Sequence, residues 1–262
     1  MIVYDDQYRG ITMQLKVLLN RHELVDSATK ILVEKINNNQ KEYFVLGLST
    51  GSTVLSICEE LVRYVQADKV SLKNLIVFYA GEFVGYSKKV QQKYFELLQN
   101  NFFSKIDILP QNIYTLNGIA EDLSMECKKY EQKIVELGGI DFFLGSLGSM
   151  GELAFNGPGS SLHSRTRLKT LTSETIKADA RFFGGDTSKV PSQALTMGIS
   201  TIYDSKEILI VVYGIQKAFA VRSCLEKSIS NMSPASILQM HPKTTFMVDK
   251  VAGRLLTTLI NE

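Results

Sequence analysis

The 262-residue chain has only five prolines and no Pro/Gly/Ser-rich linker or internal repeat, so nothing in it marks a boundary between domains. Residues 1–262 are therefore read as one domain, a size common for a single α/β unit. Cysteine is scarce. Cys58, Cys127 and Cys224 are odd in number and far apart, which excludes a disulfide framework or a metal-spaced pair and points to a reducing, cytoplasmic setting. There is no excess of either charge, since 29 Lys+Arg against 27 Asp+Glu leave +2. That balance argues against nucleic acid or an acidic membrane surface as the main partner. Long apolar runs are absent too. The strongest, Ile208–Tyr213, falls far short of the ~20 residues of a membrane span, and the N-terminus shows no signal-peptide pattern. Histidine is represented only by His22, His163 and His241, in no Ser-His-Asp or Cys-His arrangement, so each is read as structural. No His/Cys/Asp/Glu cluster has metal-ligand spacing, and no metal or other cofactor is expected.

What is present is an alternation of strand and helix patterns. Short continuous apolar runs at 44–48, 75–79, 142–145, 208–213 and 245–248 suit strands buried on both faces of a parallel sheet. Segments of helical period lie between and beyond them, at 23–38, 120–137, 216–227 and 250–260. The pattern predicts an α/β fold, a Rossmann-like, doubly wound, mostly parallel sheet with helices on both faces. Ligands of such sheets bind beyond the C-terminal strand ends, which selects the loops to inspect.

The first such loop, Leu48-Ser49-Thr50-Gly51-Ser52-Thr53, follows a strand and opens a helix. Hydroxyls, a glycine and free helix N–H groups together favour an anion such as phosphate. The same residues would equally serve as a plain helix cap. After the second strand comes Gly81-Glu82-Phe83-Val84-Gly85. Glu82 is either a general acid or base, or an ordinary surface carboxylate. After the third strand, glycines 145, 148 and 151 allow close approach of a ligand, without dinucleotide-binding spacing, and Glu152 is the one ionisable residue there. Residues 160–169 crowd Arg165, Arg167 and Lys169 among hydroxyls, which suits either an anion site or a solvated basic loop. Arg181 is a further cation. Lys217 opens a helix after the strongest strand, where its charge opposes the macrodipole unless an anion is bound.

In this order the loops resemble the glucosamine-6-phosphate deaminase/isomerase family from about residue 20 to about residue 250. Leu46-Gly47-Leu48-Ser49-Thr50-Gly51-Ser52-Thr53 is similar to its phosphate loop and Glu82-Phe83-Val84-Gly85 to its DEYVG segment. Ala154-Phe155-Asn156, Ser160-Ser161-Leu162 and 164–171 are similar to AFNEPxSSLxSRTRxKTL. Arg181-Phe182-Phe183, Ala194–Gly198, Gln216-Lys217-Ala218 and Leu238–Lys243 match as well. The sister 6-phosphogluconolactonases share the fold but match the Arg-rich segment less well. The resemblance implies a sugar-phosphate ligand, proton transfer between C2 and C1, and ammonia release in the deaminases. It implies a substrate-phosphate site on Thr50, Gly51, Ser52, Thr53, Arg181 and Lys217, and a second phosphosugar site on Ser160, Ser161, Arg167 and Lys169. It also implies a homo-oligomer, often a hexamer.

The departures fall on the chemistry. The family's acid–base positions read Gly81, Met150, Glu152 and Gly157. Loss of a general acid or base costs roughly 10²–10⁴-fold in rate. The pattern therefore predicts an amino-sugar-phosphate-binding protein impaired in catalysis, acting as a sensor or as a non-catalytic subunit beside an active paralogue. The alternative is an active isomerase or deaminase using Glu82 or Glu152 as base. At the ends, an extension to about Thr12 and a short tail after Leu255 predict a weakened second site.

Overall fold

The computed structural model describes residues 2–6, 11–49, 51–85 and 93–257, with side-chain detail beginning at Met13 and omitting Lys93 and Tyr94. In chain order the elements are β1 (Ile2–Asp6), β2 (Ile11–Leu18), α1 (Arg21–Asn37), β3 (Phe44–Leu48), α2 (Ser52–Gln66), β4 (Leu75–Tyr79), β5 (Gly81–Phe83) and α3 (Lys93–Asn101). They continue with β6 (Ile113–Tyr114), α4 (Leu123–Glu136), β7 (Phe142–Ser146), β8 (Arg167–Thr170), α5 (Ser173–Asp179), β9 (Gln193–Thr196), α6 (Ile199–Tyr203), β10 (Ile208–Val212), α7 (Ala218–Glu226) and β11 (Thr244–Asp249). Short 3₁₀ turns at 180–183 and 215–217 join α5 and α7 to their loops.

The main sheet has the order β1-β2-β11-β10-β7-β3-β4-β6. Every pairing in it is parallel except the β1–β2 hairpin. β3, β4 and β10 are buried along their whole length, as continuous apolar runs require when helices cover both faces. Two large clusters of buried side chains lie on the two faces. Phe143 on β7 shows how tightly the sheet is filled. A β-carbon at Gly47 would come within 2.6 Å of its ring, and one at Gly145 within 2.7 Å.

The five expected strands and the helices at 23–38, 120–137 and 216–227 form, with ends shifted by a few residues. Of the helix expected over 250–260, residues 250–255 form turns instead, Thr257 is helical, and residues 258–262 lie outside the description. The Asp249 carboxylate accepts hydrogen bonds from the Ala252 N–H at 2.8 Å and the Gly214 N–H at 3.0 Å, so it closes a turn where a helix would start. Two parts of the fold were not expected. β2 continues the sheet beyond β11, and a small antiparallel sheet of order β5-β9-β8 stands at the C-terminal end of β4. It is tied down by Ala80 N–H on Leu48 O at 2.9 Å and Met197 N–H on Ala80 O at 2.8 Å.

The order of strands fixes where a ligand belongs. From β3 the chain runs outward through β4 to β6. It then returns to β7 and proceeds the other way through β10 to β11. β3 and β7 are therefore neighbours whose following connections diverge, and a crevice opens between their C-terminal ends.

Candidate functional site

That crevice is a cleft of about 500 Å³ lined by four stretches of chain. Gly51, Ser52 and Thr53 come from the start of α2, and Ser146–Ser149 with Glu152, Ala154 and Phe155 from the loop after β7. Glu174, Thr175, Ala178, Asp179 and Arg181 come from α5 and the turn behind it, and Tyr213, Gln216 and Lys217 from the segment after β10.

The anion end is built on α2. Gly51 caps this helix with φ +130°, a conformation in which an L side chain would be strained, and as a glycine it makes no side-chain cap bond to the first turn. Ser49 instead braces the strands, its hydroxyl accepting from Ser146 N–H at 3.2 Å. Thr50 lies outside the described residues. Lys217 stands at the N-terminus of α7. Burial lowers its pKa, the nearby Glu152 raises it, Arg181 lowers it and Asp179 raises it. Lys217, Arg181 and Glu152 thus share one electrostatic neighbourhood. The guanidinium of exposed Arg181 stacks 4.7 Å from the ring centre of Phe182.

The glycine-rich loop is folded around Glu152. Gly148 N–H bonds the Glu152 carbonyl at 3.0 Å, and the Glu152 carboxylate accepts the Met150 N–H at 2.7 Å. A β-carbon at Gly148 would meet that carboxylate at 2.0 Å, so only glycine leaves it room. Gly151, at φ +80°, is held by Ala235 N–H on its carbonyl at 2.9 Å. The loop then turns sharply through Ala154, a non-glycine residue at φ +51°, between the bridged residues Leu153 and Asn156. Buried Asn156 holds this turn. Its amide donates to the carbonyls of Leu153 and Met197, both at 2.8 Å, and its oxygen accepts from Arg167 at 2.8 Å.

Glu82, one of the two candidate bases, is not among the cleft-lining residues. Strand alternation explains why. Gly81 and Phe83 face the Phe155 side of β5, and Glu82 faces the other. It is buried at 3% exposure. One carboxylate oxygen accepts the Phe83 N–H at 2.8 Å, and the other has no hydrogen-bond partner among the described residues. Burial raises its pKa to about 7, opposed by that one hydrogen bond. Glu82 is therefore a core group and not the surface carboxylate of the alternative reading.

Of the four departed positions only Glu152 lines the cleft. Gly81 lies behind Phe155, whose ring comes within 2.7 Å of where a β-carbon on Gly81 would be. Met150 is turned to solvent, and Gly157 sits beside the Glu152 stem, its β-carbon position 3.6 Å from Cγ. The second group, Ser160, Ser161, Arg167 and Lys169, does not line this cleft. The Ser160 hydroxyl is buried without a hydrogen-bond partner, and Ser161 is exposed. Arg167 is committed to Asn156, and burial lowers the pKa of both Arg167 and Lys169. The three histidines are also placed. His22 lies in the first turn of α1 and His163 on an exposed loop. Buried His241 bonds the Ser205 carbonyl at 2.8 Å and the Thr244 hydroxyl at 2.9 Å, which is a structural role.

Sequence reasoning missed Tyr213, Glu174 and Asp179. Tyr213 directly follows β10, so the rule of C-terminal strand ends could have found it. The α5 carboxylates reach the cleft only through the tertiary fold. Among the described residues, no group of three His, Cys, Asp or Glu side chains could hold a metal ion, and no helix is long and apolar enough to cross a membrane.

A doubly wound sheet with a helix N-terminus and two cations at its switch point is an arrangement suited to a phosphorylated small molecule. The model of the glucosamine-6-phosphate isomerase/6-phosphogluconolactonase family matches residues 19–247, and the chain belongs to that family. It is 44% identical over 243 residues to a glucosamine-6-phosphate deaminase of Drosophila pseudoobscura pseudoobscura, covering 92% of this chain and 89% of the relative. It is 43% identical over 240 residues to human glucosamine-6-phosphate deaminase 2, covering 90% and 87%. Among solved structures, a monomeric glucosamine-6-phosphate deaminase superposes with a TM-score of 0.88 at 38% identity, over 93% of this chain and all of the other. A 6-phosphogluconolactonase from Trypanosoma cruzi, at 18% identity and a TM-score of 0.74 over 93% of this chain and 97% of its own, shares the fold.

Proposed function

We propose that the chain binds an amino-sugar phosphate of the glucosamine 6-phosphate type in this cleft. The phosphate lies between the α2 N-terminus, Arg181 and Lys217, and the sugar lies toward the glycine-rich loop. We further propose that Glu152 carries an isomerase or deaminase type of proton transfer, taking a proton at C2 and returning one at C1. The relatives named as deaminases support the substrate class and the activity. The observation that carries the assignment to Glu152 is its position in one cleft with Lys217 and the α2 N-terminus. Glu82 has no part in it, being turned away from the cleft.

The test is incubation of the purified chain with glucosamine 6-phosphate, following ammonia and the ketose phosphate. Turnover that disappears in Glu152→Gln is the expected result, and turnover that survives the substitution removes Glu152 from the role. A second reading rests on a specific observation. Gly81, Met150 and Gly157 bring no titratable group, so three of the family's four acid–base positions are without one. On that reading the chain is a binding subunit or sensor. Its signature is a rise in melting temperature with the sugar phosphate and no turnover. A ligand at 100 times its dissociation constant adds ~2.7 kcal/mol. Sedimentation velocity reads the assembly. The resemblance implies a homo-oligomer, often a hexamer, and the binding-subunit reading a mixed oligomer with an active paralogue, whereas the structural neighbour at 38% identity is named as monomeric.

A further inference from the structure

Beside the anion end stand Tyr213 and Arg21, which none of the motifs includes. Tyr213 lines the cleft immediately beyond β10, with its hydroxyl 3.5 Å from the Ser52 hydroxyl at the first residue of α2. At that separation the two hydroxyls bond each other weakly at best, so both keep a proton to donate. The Tyr213 ring is not loose. The Arg21 guanidinium lies 4.7 Å from its centre, a cation–π distance. The same guanidinium donates to the Ser56 hydroxyl at 2.6 Å, and that hydroxyl in turn donates to the Ser52 carbonyl at 3.0 Å. Arg21 therefore clips the aromatic ring after β10 to the first turn of α2, across the switch point of the sheet.

From this we infer that Tyr213 is a further ligand of the phosphate, donating its hydroxyl alongside Ser52, and that Arg21 is the positioning residue that holds it there. The inference rests on the cleft taking a phosphate, as proposed above, and adds a group that the resemblance does not supply. A planar, stacked guanidinium suits the clip, and the compact ammonium of lysine would not replace it.

Calorimetric titration of the full chain with inorganic phosphate and with glucosamine 6-phosphate tests this. Tyr213→Phe keeps the ring under Arg21 and removes only the hydroxyl, so it should fold normally. A hydrogen bond to a charged group is worth roughly a 10-fold change in binding. The expected result is an about 10-fold weaker dissociation constant for both ligands, by the same factor, with the ligand-free melting temperature unchanged. Arg21→Met should weaken both ligands too. Adding Tyr213→Phe to it should cost little more, because the two residues act as one unit. Unchanged phosphate affinity in Tyr213→Phe overturns the inference alone. So does a loss confined to the sugar phosphate, which would put the hydroxyl on the sugar, and so does full additivity of the two substitutions. Wild-type protein that binds neither ligand overturns the functional reading and this inference together.

Discussion

Replacing Glu82 by glutamine separates a buried structural carboxyl from a working acid–base group. In the folded chain this side chain keeps its proton up to about pH 7, against 4.5 when exposed, because burial withdraws water from the ionised form and a single N–H replaces it. The sign follows from proton linkage. Below 4.5 both states hold the proton and Glu82 costs nothing. Between 4.5 and about 7 the unfolded chain ionises while the folded one does not, so stability falls as pH rises. Above 7 the loss is complete, and the interval corresponds to roughly 3 kcal/mol. Glutamine retains an oxygen for the Phe83 N–H and cannot ionise. Urea unfolding of the two proteins at pH 5 and pH 8 should show near-equal stability at the lower pH and a more stable Glu82→Gln at the higher, by roughly 2–3 kcal/mol. An advantage for glutamine that is the same at both values would refute the argument. Sugar-phosphate binding should be unchanged by the substitution, since the side chain faces away from the cleft.

Lys217→Met should weaken phosphate binding by roughly 10–100-fold, as loss of a charge-assisted contact does, with isothermal titration as the measure. Gly81→Ala places a methyl group against Phe155 and should cost about 1–3 kcal/mol in chemical unfolding. Glu131→Ala strips one carboxylate that accepts from the Thr166 N–H at 2.8 Å, the Thr166 hydroxyl and the Thr201 hydroxyl at 2.6 Å, pinning α4 to the residue before β8 and to α6. A loss of roughly 2–4 kcal/mol is expected in the same assay. His241 is kept neutral by burial, which lowers its pKa. The unfolded chain therefore takes up a proton first, and stability should fall as pH drops below about 6.5. His241→Gln should flatten that part of the stability profile.

The central strands were legible because burial on both faces leaves continuous apolar runs, as in Ile208–Val212 and Phe44–Leu48. β2 also left a mark in the alternation of Ile11, Met13, Leu15 and Val17 with polar neighbours, the sign of a strand covered on one side. The small sheet left none. β5 is three residues long, and its pairing with β9 joins positions more than a hundred residues apart. Without that pairing the face chosen by Glu82 could not be known, which is why it was weighed as a base. Gly51, Ser52, Thr53, Lys217 and Glu152 were legible because strand ends and glycines announce them. Glu174 and Asp179 belong to a helix that reaches the cleft only through tertiary packing.

The cleft draws on positions from Gly51 to Lys217, contributed by both halves of the chain as they diverge from the centre of the sheet. No short fragment contains it, and neither half can assemble it alone. Integrity of the cleft is thus a report on the whole fold. A nicked or truncated chain that retained most of its helices would lose the cleft, and on the proposed function a saturating sugar phosphate should slow proteolysis throughout the chain and not only at the loops it touches.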